Sequence, residues 1–413
     1  MITVKPFSAL RPVPEYVKEC AALPYDVMSS AEARREVAGK PYSFLHIDKA
    51  EIDLDPSVDL YADEVYAKAA ENLADFENKG VYQQDTERKF YFYRQVMDGR
   101  AQTGIVGCAA IDDYLRGAIK KHELTRADKE ADRIRHVDTC SAQTGPIFLA
   151  YRESQTLDKI IADETAKTPL YDFISDDGIR HTVWKSSSTE TDEKIETAFR
   201  ALDALYIADG HHRAASAVKT GLKRRTENPN HDGSEEYNYF LSVIFPANSL
   251  KILDYNRLLY DLNGLSDEAF LRAVEENLGT AEEYTGAGAY RPTKTHEIGL
   301  FIGGKWYSVN FHERICNAEK ASERLDCAIL QNAFLSPVLG ITDPRTDKRI
   351  DFVGGIRGLE YLEKNCKAGM AAIAMYPTSL TELISVADAG EIMPPKSTWF
   401  EPKLRSGIFI HKI

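Results

Sequence analysis

The 413-residue sequence lacks the features of a secreted, membrane-spanning or disulfide-stabilised protein. Its first residues show no charged segment followed by an apolar stretch, so no signal peptide is expected. The longest apolar runs, such as residues 370–375, are far too short to span a bilayer. Six cysteines are scattered singly without a C-x-x-C pair, which predicts reduced thiols and no thiolate metal site. These absences favour a cytoplasmic protein.

Clustered basic residues are also absent. The sequence has 51 Lys and Arg against 64 Asp and Glu, a formal net charge of −13, and its densest basic stretches, 120–121 and 223–225, are short. Nucleic acids are bound through grouped Lys and Arg that displace counterions, so no nucleic-acid partner is expected. The 43% hydrophobic share is enough for packed cores and fits a globular chain of more than one domain.

The common signatures of nucleotide-binding and hydrolytic enzymes are missing as well, namely G-x-x-x-x-G-K-[ST], G-x-G-x-x-G after a strand, and G-x-S-x-G. Helix and strand patterns interleave, with hairpin signals at Asp98-Gly99 and Gly303-Gly304. This mixture favours an α+β fold with mixed sheets. The glycine-bearing stretch 284–292 is the best linker candidate, which predicts an N-terminal α+β region over 1–283 and a C-terminal one over 284–413.

The segment with the most chemistry follows a short apolar strand, where Asp209-Gly210 turns the chain into a predicted helix. Asp209 is expected to cap this helix, and Gly210 permits a tight turn and close approach of a ligand. His211, His212 and Arg213 then lie in the first turn, where the helix dipole disfavours cations. A bound anion removes the conflict, which predicts a phosphate-binding site. The alternative is that the histidines are ordinary polar neighbours and Arg213 pairs with an acid.

A metal ion is the rival ligand for the same residues. His211 and His212 point about 100° apart on a helix, so they cannot easily share one ion. No H-E-x-x-H pair or third nearby ligand is evident in the sequence. We therefore expect no metal site formed by the protein itself, whereas Mg²⁺ that arrives with a nucleotide and is held by carboxylates is compatible.

A second polar cluster surrounds a predicted charged helix. Lys129, Arg133 and His136 share one helix face at four- and three-residue steps. His122-Glu123, just ahead of the helix, supplies an acid/base pair. The helix is either one wall of the phosphate cleft or a solvated charged surface, and the sequence leaves both open.

Two proline-stiffened loops present further polar groups. In residues 393–407, Lys396, Ser397 and Thr398 are offered as donors for phosphate or carboxylate, with a purely structural tail as the alternative. Near the start of the chain, Asp26 lies in a similar loop and has the same two interpretations.

The chain carries six short motifs: Leu23-Pro-Tyr-Asp-Val, His122-Glu-Leu-Thr, Asp132-Arg133, Pro146-Ile-Phe, Ala208-Asp-Gly-His-His-Arg and Met393-Pro-Pro-Lys-Ser-Thr. In this combination they resemble the bacterial and archaeal family known as domain of unknown function 1015. The resemblance spans nearly the whole chain, and its motifs at 208–213 and 393–398 are quite specific.

The turn at 209–213 is also similar to the phosphate-binding turn of the ParB/sulfiredoxin-like superfamily, which includes nucleotide-hydrolysing partition proteins, sulfiredoxins and free-serine kinases. This resemblance implies a ParB/sulfiredoxin-like core, followed by the C-terminal region, with nucleotide phosphates at the turn. It covers about a dozen residues and departs after the arginine, where relatives often carry an aromatic residue and an acid and this chain has Ala214-Ala215. No acid/base role carries over to those two positions.

Two functions stay open. The first is a small-molecule kinase that uses ATP or ADP with Mg²⁺, for which the superfamily analogy suggests a serine-like amino acid as substrate. Its acid/base residues would be His212, Glu123 and His122, and its phosphate ligands would be Asp209, Gly210, His211, Arg213, Lys129, Arg133, Lys396 and Ser397. The second is a non-catalytic nucleotide- or metabolite-binding regulator, in which the His122-Glu123 pair would be buried away from any cleft. A sulfiredoxin-type reductase needs a cysteine in the turn, where histidines stand instead, and the number of subunits is left open.

Overall fold

The computed structural model describes all 413 residues and divides into two compact units. Unit 1 comprises Met1–Leu250 together with Pro402–Ile413, and unit 2 comprises Lys251–Glu401. Unit 1 therefore contains both ends of the chain.

Fourteen α-helices are distributed over the two units. In chain order they are α1 (Val17–Cys20), α2 (Ser30–Glu36), α3 (Leu45–Asp48), α4 (Asp63–Asn78), α5 (Ile111–Leu115), α6 (Ala127–Cys140), α7 (Gln155–Thr165), α8 (Thr189–Arg200), α9 (His211–Glu227), α10 (Asp267–Asn277), α11 (Glu313–Cys316), α12 (Asp326–Leu330), α13 (Glu360–Asn365) and α14 (Leu380–Asp388). Several begin after a serine whose hydroxyl accepts a first-turn amide, as Ser154 does for α7 and Ser188 for α8, which satisfies one otherwise unpaired donor.

The strands number twenty-one. In chain order they are β1 (Val4–Lys5), β2 (Leu10–Pro12), β3 (Tyr82–Gln84), β4 (Tyr91–Met97), β5 (Arg100–Ala110), β6 (Ile119–Lys120), β7 (Ala142–Gln143), β8 (Ile147–Tyr151), β9 (Tyr171–Ile174), β10 (Arg180–Lys185), β11 (Leu205–Asp209), β12 (Tyr239–Pro246), β13 (Ile252–Leu253), β14 (Tyr255–Leu259), β15 (Gly279–Glu283), β16 (Glu297–Ile302), β17 (Lys305–Phe311), β18 (Ile350–Gly354), β19 (Ala371–Met375), β20 (Trp399–Phe400) and β21 (His411–Lys412).

Unit 1 is built on a nine-stranded mixed sheet. Its order is β6-β11-β8-β12-β5-β4-β10-β9, with β1 also pairing with β5. The pairs β6/β11 and β8/β12 are parallel, whereas the other pairs are antiparallel. The mixed α+β class predicted from the sequence is confirmed, and so are the hairpins at Asp98-Gly99, between β4 and β5, and at Gly303-Gly304, between β16 and β17.

Unit 2 has a six-stranded antiparallel sheet in the order β15-β17-β16-β19-β14-β18. The domain boundary predicted at 283/284 falls inside this sheet. Strand β15 ends at Glu283 and pairs with β17 across that boundary, with Glu283 opposite Tyr307. The boundary and the assignment of 284–413 to one region are therefore corrected: the units divide at Leu250/Lys251, and the last twelve residues, Pro402–Ile413, return to unit 1.

Two large clusters of buried side chains lie in unit 1. One joins the sheet to α8 and α9 and includes Phe92, Ile207, Phe240, Phe199 and Ala217. Burial of each large side chain contributes roughly 1.5–3 kcal/mol relative to exposure. The other gathers the N-terminal segments around the end of the chain and includes Leu10, Phe44, Leu73, Tyr82 and Ile410. None of the helices in either unit has the length and apolar character needed to cross a membrane.

Candidate functional site

The site lies where two parallel strands end side by side. Strands β6 and β11 pair in register, with Ile119 opposite Leu205 and Lys120 opposite Tyr206. The carboxyl ends of neighbouring parallel strands meet at one edge of a sheet, where α/β proteins commonly bind ligands. The loop that follows β6 therefore lies against the turn that follows β11.

Direct contacts confirm this juxtaposition. The backbone N–H of His122 donates to Nε2 of His211 at 3.4 Å, and the two imidazole rings lie 4.5 Å apart at 84°. Nδ1 of His211 is 3.9 Å from Oε2 of Glu123. The acid/base pair found in the sequence is thus retained beside the predicted phosphate turn.

The turn itself differs in one respect from the prediction. Gly210, and not Asp209, is the N-cap of α9; its φ of 91° is left-handed, and no side chain caps the helix. Oδ1 of Asp209 accepts only the neighbouring N–H of Gly210 at 2.8 Å, and Oδ2 accepts from Nζ of Lys403 at 3.0 Å. The carboxylate of Asp209 therefore stabilises the turn that precedes α9. No side chain accepts a hydrogen bond from the N–H groups in the first turn of α9.

Arg213 folds back over this turn. Its NH1 donates to the carbonyl of Pro146 at 2.6 Å, while its Nε is sealed from solvent and has no hydrogen-bond partner. A Cβ on Gly210 would lie 3.1 Å from that Nε, so any other residue here would press on the guanidinium. An unsatisfied buried donor costs about 1–3 kcal/mol, which a bound anion would recover.

Arg213 shares a small cavity of about 30 Å³ with side chains from the N-terminal segment and from α6. Its polar lining includes Tyr25, Asp48, Arg133, His136, Thr144 and Arg213. Arg133 is 9% exposed, pairs with Asp132 at 2.9 Å and stacks on the Tyr25 ring at 4.1 Å. A cavity of this size holds about one water-sized group.

The basic face predicted on α6 is divided in the structure. Arg133 and His136 line the cavity, and Nε2 of His136 contacts the carbonyl of Ile47 at 3.0 Å. Lys129 instead contacts the hydroxyl of Tyr61 at 3.0 Å and does not line that cavity. The role of Lys129 and Arg133 as ligands of one phosphate group stays a prediction.

The three histidines near the turn are neutral at neutral pH. Burial lowers the pKa of His122 to about 4, although Asp209 opposes the shift. Burial and the neighbouring His122 bring the pKa of His211 far below its ordinary value. Burial also lowers the pKa of His212 against the pull of Asp26. The permanent positive charge at the start of α9 is therefore that of Arg213.

Asp209, by contrast, stays ionised because nearby positive charges outweigh the effect of burial. Burial tends to raise its pKa, but Lys403 and Arg213 outweigh burial and hold the pKa well below its usual range. The pKa of Arg213 is raised because Asp26 and Asp209 outweigh the effect of burial. The turn is thus a network of fixed charges that includes Lys403, a residue the sequence analysis did not single out.

A second arrangement at the site was not anticipated. His122, Glu123 and His211 offer ligand atoms that all lie within 4.8 Å of one another. From the sequence, one of the adjacent residues His211 and His212 could bind an ion together with Asp209, but no third ligand was evident. His212 instead accepts the backbone N–H of Arg126 at Nε2, at 3.0 Å, and the second imidazole comes from the β6 loop. The statement that no third ligand lies nearby is therefore wrong.

Lys396 and Ser397 belong to unit 2. The ammonium of Lys396 lies 5.7 Å from the centre of the Tyr255 ring. The hydroxyl of Ser397 donates to the carbonyl of Pro394 at 2.6 Å and lies 3.0 Å from Sγ of Cys327. Their role as phosphate ligands stays a prediction.

Three solved structures can be aligned to about three quarters of this chain at low identity. SbnI with a C-terminal truncation, from Staphylococcus aureus, has a TM-score of 0.39 and 11% identity over 73% of this chain and 85% of its own. A mutant free serine kinase in complex with AMP has a TM-score of 0.36 and 14% identity over 74% and 90%. A conserved hypothetical protein from Pyrococcus furiosus has a TM-score of 0.35 and 17% identity over 73% and 93%.

A search of curated proteins gave no match. The model of the family described as protein of unknown function (DUF1015) matches residues 4–328. That range contains most of the chain and the turn at Asp209–Arg213 with its neighbours from Tyr25 onward, but not Lys403. The protein is therefore a member of the DUF1015 family.

Proposed function

We propose that this protein binds a nucleotide by its phosphates at the turn formed by Asp209–Arg213 and transfers a phosphoryl group to the hydroxyl of a small molecule. One observation supports the binding step above all others. Arg213 places a solvent-sealed, unpartnered Nε at a helix start that no side chain caps. Free amides, the positive end of the helix dipole and a guanidinium are the groups that hold phosphate oxygens in proteins.

The residues present fit a nucleotide better than they fit Mg²⁺. Gly210 keeps open the space in which a Cβ would press on the guanidinium of Arg213. The one group of three close His, Cys, Asp or Glu ligands at the turn contains two imidazoles, whereas Mg²⁺ prefers oxygen ligands. Mg²⁺ would accordingly be bound mainly by the phosphates, whose developing negative charge it neutralises when bound.

The transfer step needs a group that accepts the proton of the attacking hydroxyl. His212 is poorly suited, because Nε2 already accepts the N–H of Arg126 and the neutral ring then carries its proton on Nδ1. His122 is only 2% exposed. Asp26 is exposed and is the leading charged influence on the pKa values of both His212 and Arg213. We assign proton acceptance to Asp26.

In this scheme the substrate oxygen forms a bond to the terminal phosphorus, and the bond from that phosphorus to the bridging oxygen breaks. The leaving nucleotide carries away the electron pair, and Asp26 takes the hydroxyl proton. Arg213 stabilises the charge on the transferring group. The retained contact between the β6 loop and the turn favours an enzyme over a non-catalytic regulator, for which the pair His122-Glu123 was expected to lie away from the site.

The test is product formation from ATP in the presence of a panel of hydroxyl compounds that includes serine, threonine and homoserine. We expect ADP and a phosphoester in equal amounts, with at least one acceptor raising ADP formation well above the level without acceptor. Asp26→Asn should lower kcat by about 100-fold or more. The exposed Asp163→Asn on α7 is the matched control and should be unchanged. If no acceptor raises turnover while ATP still binds, the protein is a nucleotide-binding regulator and the transferase proposal is wrong.

A further inference from the structure

The cluster formed by His122, Glu123 and His211 contains a polar atom that the fold leaves without a partner. Nδ1 of His122 is buried and makes no hydrogen bond, and the residue is only 2% exposed. A buried polar nitrogen without a partner destabilises the folded state, so a ligand that satisfies Nδ1 would stabilise the fold.

The other two members of the cluster are similarly placed. The contact from the backbone N–H of His122 to Nε2 of His211 is 3.4 Å, which is long for a hydrogen bond. The separation between Nδ1 of His211 and Oε2 of Glu123 is 3.9 Å, beyond direct hydrogen-bond distance. Each imidazole thus has a nitrogen that no strong hydrogen bond occupies, and a carboxylate lies beside them.

The spacing is close to that of a metal site. A tetrahedral ion with bonds of about 2.0–2.2 Å holds its ligand atoms roughly 3.3–3.6 Å apart. The three ligand atoms here lie within 4.8 Å of one another, so movements of about 1 Å would close the site. Glu123 can supply much of this movement, because its side chain is 44% exposed and lies in the loop after β6.

We propose that His122, Glu123 and His211 bind one divalent transition-metal ion of the zinc type. Two imidazoles with one carboxylate suit Zn²⁺, Fe²⁺, Mn²⁺ or Co²⁺, whereas Mg²⁺ and Ca²⁺ favour oxygen ligands. Three protein ligands leave at least one coordination position open, as in catalytic metal sites. His211 is the first residue of α9, so an oxygen ligand in that open position would be next to the phosphate turn; this last point alone rests on the proposed function.

Metal binding can be measured without nucleotide. Protein treated with a chelator and dialysed is titrated with Zn²⁺, and bound metal is determined by elemental analysis. Co²⁺ serves as a spectroscopic probe, because its visible absorption reports nitrogen and oxygen ligation. We expect one ion per chain, with an affinity at least tenfold weaker in Glu123→Gln and in His211→Asn.

His231→Gln is the matched control, because His231 forms a similar pair with Glu235 at 2.9 Å on the surface of unit 1 but has no third ligand in a cluster. It should bind Zn²⁺ as the wild type does. A wild-type protein that takes up no stoichiometric Zn²⁺ or Co²⁺ would overturn the proposal. So would unchanged affinity in Glu123→Gln, a half-exposed position whose substitution leaves the core intact. A wild-type protein that binds the metal ion but no nucleotide would contradict the proposed function and leave the metal-site proposal standing.

Discussion

Arg213 carries the permanent positive charge of the first turn of α9, because burial keeps His211 and His212 neutral. The sequence suggested three potentially cationic side chains competing with the helix dipole. The structure removes two of these charges by burial and leaves one guanidinium whose Nε is unpaired. The unfavourable positive charge at the start of α9, which pointed to a bound anion, is therefore limited to the guanidinium of Arg213.

Gly210 permits both the left-handed turn and the position of Arg213. Gly210→Ala should therefore have two separable effects, one on stability and one on ATP affinity. The left-handed backbone, at a φ of 91°, should cost about 1–2 kcal/mol of stability with any side chain. The added Cβ would also displace the guanidinium, 3.1 Å away, so affinity for ATP should fall at least tenfold. Urea unfolding and isothermal titration measure the two effects.

The control is Gly117→Ala. Gly117 has a φ of 76° and no atom within 4 Å of an added Cβ, so this variant should show the loss of stability but keep its ATP affinity. Equal ATP affinities in the two variants would mean that Gly210 matters only for the backbone.

The buried carboxyl group of Asp326 should make the stability of unit 2 depend on pH. Burial raises its pKa from 3.8 to about 7, so between these values the folded state holds a proton that the unfolded state releases. Stability should therefore fall as the pH rises from about 4 to 7. The side chain in Asp326→Asn is neutral at every pH and can still accept the N–H of His296. The stability of this variant should therefore lack the pH dependence that Asp326 causes.

The variant should match the wild type near pH 4 and exceed its stability at pH 8, on the order of 2 kcal/mol. Tryptophan fluorescence during urea unfolding is a suitable measurement, because Trp306 and Trp399 both lie in unit 2. A difference between variant and wild type that does not change with pH would contradict the shifted pKa of Asp326.

At the scale of the elements, local patterns were read correctly from the sequence and long-range pairings were not. The hairpins at Asp98-Gly99 and Gly303-Gly304 and the strand-to-helix turn at Gly210 depend on neighbouring residues, and all three are confirmed. The cap assigned to Asp209 failed because Lys403, distant in sequence, engages its carboxylate. The meeting of His122 with His211 depends on the two-residue strand β6, which has no recognisable pattern of its own.

The C-terminal segment is an element of unit 1 whose importance can be tested. Strand β21 pairs with β7, and Ile410 exchanges backbone hydrogen bonds with Leu10 at 2.9 and 3.0 Å. Phe409 is 1% exposed and packs 5.1 Å from the Tyr91 ring. Phe409→Ala should therefore destabilise unit 1 by about 3–5 kcal/mol.

Thermal and denaturant unfolding followed by circular dichroism measure this loss. Lys412→Ala is the control in the same segment, because its ion pair with Glu77 is at the surface and such pairs contribute about 0–1 kcal/mol. Similar stabilities of Phe409→Ala and the wild type would show that the segment does not stabilise unit 1.

At the scale of the whole molecule, the composition indicated a globular chain of more than one domain but did not locate the boundary between the two units. From the net charge of −13 we expected no nucleic-acid partner, and that expectation stays a prediction. Arg133 and Arg213 line one cavity, and each lies near a carboxylate, Asp132 or Asp209. The domain boundary was misplaced because glycine-rich composition marks flexible connections, whereas the units depend on which strands pair.

The central claim, that phosphates bind at the turn of α9, is tested most directly by ligand-induced stabilisation. Thermal unfolding of the wild type is measured with ATP, ADP, CTP and pyrophosphate, beside Arg213→Lys and the control Arg200→Lys, an exposed arginine on α8 paired with Glu196. At ligand concentrations about 100 times Kd, the Tm of the wild type and the control should rise by roughly 5–10 °C. Arg213→Lys should show little or no rise, because lysine lacks the Nε donor and the planar fork. The account is contradicted if no phosphate compound raises the wild-type Tm, or if Arg213→Lys responds as strongly as the wild type.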